Sequence, residues 1–345
     1  MKSRREFLQA AATGAIVLGS QSKLGLASLL DQSVQNGQHA GTAKSRVVIA
    51  RDPALHGPAG SQAAQPDEKR VLDLLDRAIA AYTGRDNQVE AWKRILPQAG
   101  SPDKVIGLKV NGLGGKGIST HSVLVLAISE RLQQAGVKPG NILVWERDAR
   151  SLEACGLTVS TDRSRVRCYG SDVAGYEEQP VAFGSVNVKL SKILTRECEM
   201  VINLPILKDH EVAGITFSMK NMYGVVQRPF ELHANGCNPG VADLNRIPVV
   251  REKVSFTIGD AISSVYNGGP GFHPEHLWYP NALIVGRDRV ALDQTAWQMI
   301  ERKRAEAGVP TLEDAGRPPR YIATAADPAH RLGINDPQRI HLMEV

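Results

Sequence analysis

Apolar residues fall into short blocks separated by polar, glycine-rich stretches, and the blocks follow two periods. Val71, Leu72, Leu74, Leu75, Ala78 and Ile79 recur at three- and four-residue intervals. That spacing predicts an amphipathic helix over 67–82. Runs rich in apolar residues at 46–50, 105–110, 141–145, 199–204, 253–258 and 282–285 predict strands. Ser119 or Thr120 is expected to cap a helix that runs to Ala135 and ends at Gly136. Asp288 is expected to cap a last helix over 289–307. Strand and helix alternate throughout, which predicts an α/β fold: a mainly parallel sheet covered by helices, Rossmann-like, in one or two lobes.

The first residues have a different logic. Ser3, Arg4, Arg5, Glu6, Phe7 and Leu8 precede an apolar run from Ala10 to Leu18, broken by Thr13 and Gly14; Gly25, Leu26 and Ala27 follow. A charged start, a short apolar middle and a small-residue exit make a signal peptide. The paired arginines resemble the twin-arginine motif, whose translocase carries folded proteins. The expected organisation is a signal over 1–27, a linker over 28–43 and one α/β domain over 44–345. The expected location is the periplasm or cell envelope. The translocase is the expected partner, with membrane contact only through an uncleaved signal.

Charge and cysteine content exclude more than they suggest. Segment 1–27 carries +3 of the formal net charge of +5, so the remainder offers no basic block for nucleic acid. Cys155, Cys168, Cys198 and Cys237 form no CxxC pair, so there is no iron–sulfur or zinc-ribbon motif. Their spacing fixes no disulfide, and buried free thiols are expected for at least two.

Candidate chemistry gathers in the loops after three strands. Residues 111–120 are glycine-rich between a strand and a helix start, where backbone N–H groups and a helix N-terminus favour an anion. Lys109, Asn111, Gly114, Gly115 and Lys116 are the candidate anion contacts there. The segment is not a Walker A loop, because Gly117 follows Lys116. The second stretch, 203–243, places Lys208, His210, Lys220 and Asn221 in apolar surroundings, with His233, Cys237, Asn238, Pro239 and Asp243 further on. His210 and Lys220 are the candidate catalytic groups, and Lys208 and Asn221 candidate substrate contacts. Asp260 follows a strand and joins them as a catalytic group or as a metal ligand with His233 and Cys237. His273, Glu275 and His276 have ligand chemistry in a looser context, and Asp293 lies inside a helix without an assigned role.

These segments together resemble the domain-of-unknown-function 362 family. The matching pieces are 109–121, 135–142, Asn203 to His210, Lys220, Asn221 and Gly224, Cys237 to Pro239, Ala242 to Leu244, Gly259 and Asp260, Gly268 to Pro270, and Asp288 to Asp293. Some members carry a cysteine-rich iron–sulfur module; this chain has none. A weaker resemblance is to the nickel-pincer lactate racemases, through His210, Ala213, Gly214, Lys220, Gly224, His233, Asn238 and Pro239. It implies a proton-carrying role for His210, a cofactor tether at Lys220 and a nickel ligand at His233. Glu146, Arg147 and Asp148 stand where that family has a second histidine, which argues against two-base racemisation. The expectation is an enzyme that uses a divalent metal or an organometallic cofactor on a small anionic substrate. The alternative is an envelope protein that binds an anion or metal, or assists maturation, without catalysis.

Overall fold

The computed structural model describes residues 44–56, 65–96, 104–115 and 117–345. The expected signal, the linker and Lys116 lie outside the described residues.

Eight strands form one sheet: β1 (Ser45–Arg51), β2 (Ile106–Lys109), β3 (Ile142–Trp145), β4 (Arg167–Cys168), β5 (Met200–Asn203), β6 (Val254–Ala261), β7 (Ala282–Gly286) and β8 (Ile340–Glu344). Their order is β8-β1-β7-β6-β5-β2-β3-β4. Five of the seven pairings are parallel; β7 runs against both of its neighbours. The α/β class and the mainly parallel sheet are therefore as the sequence predicts.

Side chains of a strand alternate between faces, and the core divides accordingly. Val47, Ile49 and Trp145 pack into one cluster with Val290, Leu292 and Ala296 of helix α5 (Arg289–Glu306). Val48, Ala50 and Val144 pack into the other, with Leu74, Leu75 and Ile79 of α1 (Glu68–Thr83), Trp92 of α2 (Gln88–Ile95) and Leu124 and Ile128 of α3 (Ser122–Gln134). Helix α4 (Gly240–Arg246) joins the first layer. A sheet covered on both faces needs apolar residues on both, which is why its strands read as unbroken runs. The four cysteines are buried and free. Among the described residues no helix is long and apolar enough to cross a membrane.

Asp288 caps α5 as expected, accepting the amides of Val290 and Ala291. The cap expected for α3 is corrected. His121 is the N-cap residue and makes no side-chain cap. Thr120 instead ties the loop to the sheet: its hydroxyl accepts the Asn111 amide at 2.8 Å and donates to the Leu204 carbonyl at 2.7 Å.

The register brings the chemistry to one edge. Lys109 lies beside Asn203, and Asn203 beside Thr257. The parallel strands β2, β5 and β6 thus end together, and Asn111, the segment after Asn203 and Asp260 emerge side by side. Because β7 reverses, the loop from Ile262 to Asn281 returns over the same edge.

Candidate functional site

A short hairpin after β5 pairs Lys208–His210 with Gly214–Thr216. Asp209 anchors it. Its carboxylate is wholly buried, 2.6 Å from Arg317, 3.6 Å from Arg304 and 2.9 Å from the Gly269 amide. Burial raises its pKa against the pull of the two arginines. The loop around Gly269 presses so close that a Cβ there would sit 2.0 Å from the Asp209 carbonyl. Strand alternation then sends Lys208 and His210 to the face opposite Asp209.

Lys208 enters the glycine-rich loop from below. Its Nζ donates to Asn111 Oδ1 at 3.1 Å, to the Ile118 carbonyl at 3.2 Å and to the Leu113 carbonyl. The loop was expected to turn amides toward an anion. Instead it turns these carbonyls inward onto an amine, with Gly114 and Gly115 at the positive φ that the turn requires. Burial without a carboxylate partner pushes Lys208 down to about 7.

Lys109 also differs from expectation. It is fully buried and paired with Glu146 at 2.7 Å, so its charge is already matched. Beside it runs a chain of amides. Asn111 donates to Asn221 at 2.9 Å, Asn221 to Asn203 at 2.7 Å, and Asn203 to the Ser218 carbonyl at 2.8 Å. These buried bonds hold the β2, β5 and 218–221 segments in one arrangement.

The segment bearing Lys220 is clamped on its backbone. Asp293 accepts the Met219 amide at 3.2 Å, and Asn245 donates to the Met219 carbonyl at 3.0 Å. Arg289 in turn donates to Asn245 at 2.9 Å. Asp293 is pushed up to about 8, chiefly by burial. Lys220 then opens a 3₁₀ turn, Lys220–Val225. Its Nζ lies 3.3 Å from His233 Nε2 and 3.8 Å from the centre of the Tyr223 ring. No carboxylate pairs with it among the described residues, and burial lowers it to about 8.

The two histidines beside Lys220 have fixed tautomers. His233 Nδ1 faces the Pro229 carbonyl at 3.0 Å, so the proton sits there and Nε2 accepts from Lys220. His210 Nδ1 accepts the amides of Val212 and Ala213 at 3.1 and 3.2 Å, so its proton sits on Nε2. That Nε2–H meets no acceptor among the described residues. The rings of His210 and His233 stack 5.6 Å apart. Burial, then the charges of Lys220 and His233, push His210 down to about 2. Cys237 is buried with its thiol on the Tyr223 hydroxyl, and burial raises its pKa.

Asp260 belongs to a different grouping. Its Oδ2 accepts both the backbone amide and Nδ1 of His121, each at 2.8 Å, and its Oδ1 accepts the Ile262 amide at 3.1 Å. Burial disfavours a charged His121, but the charge and hydrogen bond of Asp260 outweigh it and raise its pKa. His121 Nε2 is 3.4 Å from Ser263 Oγ, and both residues line a groove of about 1060 Å³. Asp260 therefore does not join His233 and Cys237. Among the described residues no group of three or more His, Cys, Asp or Glu side chains could hold a metal ion. His273 pairs with Glu275 at the surface, and His276 with Asn267.

The fold thus gathers Lys208, His210, Lys220, His233, Asn111 and Asn221, and sets Asp260 on the groove side. The sequence reading missed the partnership of His121 and the clamping role of Asp293. The only signal for the first was a histidine at a helix start, opposite an aspartate at a strand end.

The model of the domain of unknown function family DUF362 matches residues 106–298, from β2 into α5. The chain belongs to the DUF362 family. The matched span holds every candidate residue described above, whereas β1 and β8 lie outside it. No curated protein matches the chain. A crystal structure of a protein from Thermotoga maritima is similar at a TM-score of 0.44 and 10% identity. The likeness covers 70% of this chain and 59% of that one. DUF362 membership assigns no reaction, and the racemase likeness finds no second histidine here, since Glu146, Arg147 and Asp148 stand in that place, with Asp148 accepting the Ser151 amide at 2.9 Å.

Proposed function

We propose that this DUF362 protein is an enzyme acting on a small anionic substrate of the carboxylate class, with Lys220 and His210 as its working groups. The observation that carries this reading is a buried amine, Lys220, without a carboxylate partner among the described residues, beside the acceptor-less Nε2–H of His210. Two neighbouring buried lysines, Lys208 and Lys220, are both driven toward neutrality. An entering carboxylate would restore the charge on Lys220 and accept from His210 Nε2. The tautomer forced on His210 leaves its Nε2–H as a hydrogen-bond donor that orients the substrate, and the Lys220 amine, lowered to about 8, is the group that can take up and give back a proton. An organometallic group would have to be held by Lys220 and His233, which lie together; the set His233, Cys237 and Asp260 does not fit a metal.

Binding should take up a proton. Calorimetry with acetate, pyruvate and inorganic phosphate at pH 8.5, in buffers of differing ionisation heat, should show roughly one proton absorbed per carboxylate bound. Lys220→Met should abolish that uptake. Binding without proton uptake would sink the role of Lys220, and binding without turnover would favour the non-catalytic alternative. A native mass spectrum would reveal any retained organic group.

We further propose export by the twin-arginine translocase into the cell envelope, from the Arg4–Arg5 motif. Lysine at both positions should hold the folded precursor in the cytoplasm; normal export of that variant would refute the proposal.

A further inference from the structure

The groove beside the Lys220 cluster holds a constellation that the reading above does not use. We propose that Asp260, His121 and Ser263 form a nucleophilic hydrolase site that cleaves small carboxylic esters, with the acyl group lying against Leu126, Phe272 and Leu277 on the groove wall.

The three groups stand in relay order. Asp260 Oδ2 accepts His121 Nδ1 at 2.8 Å, which fixes the proton on Nδ1 and leaves the Nε2 lone pair toward Ser263 Oγ at 3.4 Å. The same oxygen accepts the His121 backbone amide, so ring and main chain are oriented by one atom. The other carboxylate oxygen holds the Ile262 amide, one residue before Ser263. One buried carboxylate thus positions both base and nucleophile, as an orienting third group does in such sites. The Ser263 hydroxyl donates to the Gly117 carbonyl at 2.7 Å. It has one proton, so rotation about its C–O bond exchanges that acceptor for His121 Nε2. A spacing of 3.4 Å is the looser contact of a site without substrate.

Charge developing on the substrate also has a counterpart. Ser122 and Val123 open α3 and line the same groove. Their amides have no acceptor among the described residues. Helix-start amides with the aligned helix dipole suit an oxyanion.

The step balances with water as the only co-reactant. The Ser263 proton passes to His121 Nε2 as Oγ bonds to the ester carbon, and the oxyanion forms at the α3 amides. The carbon–alkoxide bond then breaks, and the alcohol leaves with the proton from His121. Water repeats the sequence on the acyl-serine, releasing the carboxylic acid and restoring Ser263.

The test uses the full chain, a fluorophosphonate probe and p-nitrophenyl butyrate. The expected result is one label per chain, on the peptide containing Ser263, together with ester hydrolysis. Ser263→Ala should lose the label, and Ser263→Ala and His121→Gln should each lower hydrolysis by about 10²-fold or more. Thermal melts show whether each variant folds; if either fails, the site of labelling on the unaltered chain decides. Ser263→Cys should react with iodoacetamide faster than the same variant carrying His121→Gln. No label on a folded chain, label persisting in Ser263→Ala, or a cysteine indifferent to His121 overturns the proposal.

Discussion

His210 and His121 stand at the same sheet edge and have opposite electrostatics. His210 faces two lysines and another histidine, and its Nδ1 is occupied by two amide donors, so it is held neutral. His121 is as enclosed but rests on a carboxylate, so it holds its proton above the ordinary histidine range. Burial acts against charge in both. The nearest partner decides the outcome, and one site is left short of negative charge while the other is matched. A ligand for the first must bring an anion; a ligand for the second need not.

The comparison is broken most forcefully at Asp260. Asp260→Ala should destabilise the protein by about 3–5 kcal/mol, because two amides and an imidazole would lose their buried acceptor. His121 should then titrate below the usual range, like His210. Urea unfolding and histidine NMR would check both, and an unchanged His121 titration would show that Asp260 is not what separates the two rings.

Lys220→Met should act with the opposite sign. Removing a buried amine without an anionic partner should raise stability at pH 7 by roughly 1–3 kcal/mol while weakening carboxylate binding at least tenfold. Loss of stability would mean that Lys220 is matched by a partner in the folded chain.

A smaller effect is in the pH profile. Lys208 and Lys220 are depressed to about 7 and about 8. Between those values and the ordinary lysine range the unfolded chain binds more protons at these two groups, so their contribution to stability should rise from pH 7 to 10, while those of Asp293, raised to about 8, and of His121 fade. Lys220→Met should flatten part of that rise. On the acid side the histidines oppose each other. The depressed His210 lowers stability as pH falls below the ordinary histidine value. The stabilisation from His121 is full below that value and fades as pH rises through its raised pKa. Equilibrium unfolding of the unaltered chain and of Lys220→Met across the range tests the signs: the stability of the unaltered chain relative to the variant should rise from pH 7 to 10, and a constant or falling difference would contradict them.

The mildest change is Asn111→Ala. It removes one of three oxygens around Lys208 and the start of the amide chain, and should cost about 1 kcal/mol. It should also slow hydrogen exchange less at Asn203 than in the unaltered chain.

Local patterns carried most of the architecture. The periodicity of Leu74, Leu75, Ala78 and Ile79 marked α1, and Asp288 before an apolar run marked α5, because both signals lie within a few residues. Strand β4 is two residues long, and β8 is polar on much of its exposed edge, so neither has a strong pattern. The reversal of β7 depends on how the chain returns after β6, which no strand-length window contains. The site divides likewise. Burial of Lys220 was legible from Phe217, Met219 and Met222 beside it. The pairs Lys109–Glu146, Lys208–Asn111 and Asp260–His121 were not, since each joins residues far apart in sequence. An anion-cradling loop and a loop wrapped around its own lysine have the same glycine pattern.

The neighbouring positions of β1 and β8 have a consequence for how the molecule comes into being. Val47 pairs with Leu342, so the first strand of the sheet to leave the ribosome is bordered on one side by the last. Its other neighbour, β7, is also made late. Through nearly all of synthesis β1 has neither partner, and its two rows of backbone groups must stay hydrated or shielded. Pairing across so long a stretch of chain gives high contact order and slow closure. A nascent chain halted before Ile340 would leave the side of β1 that faces β8 as an open apolar edge, the kind that chaperones and aggregates both recognise.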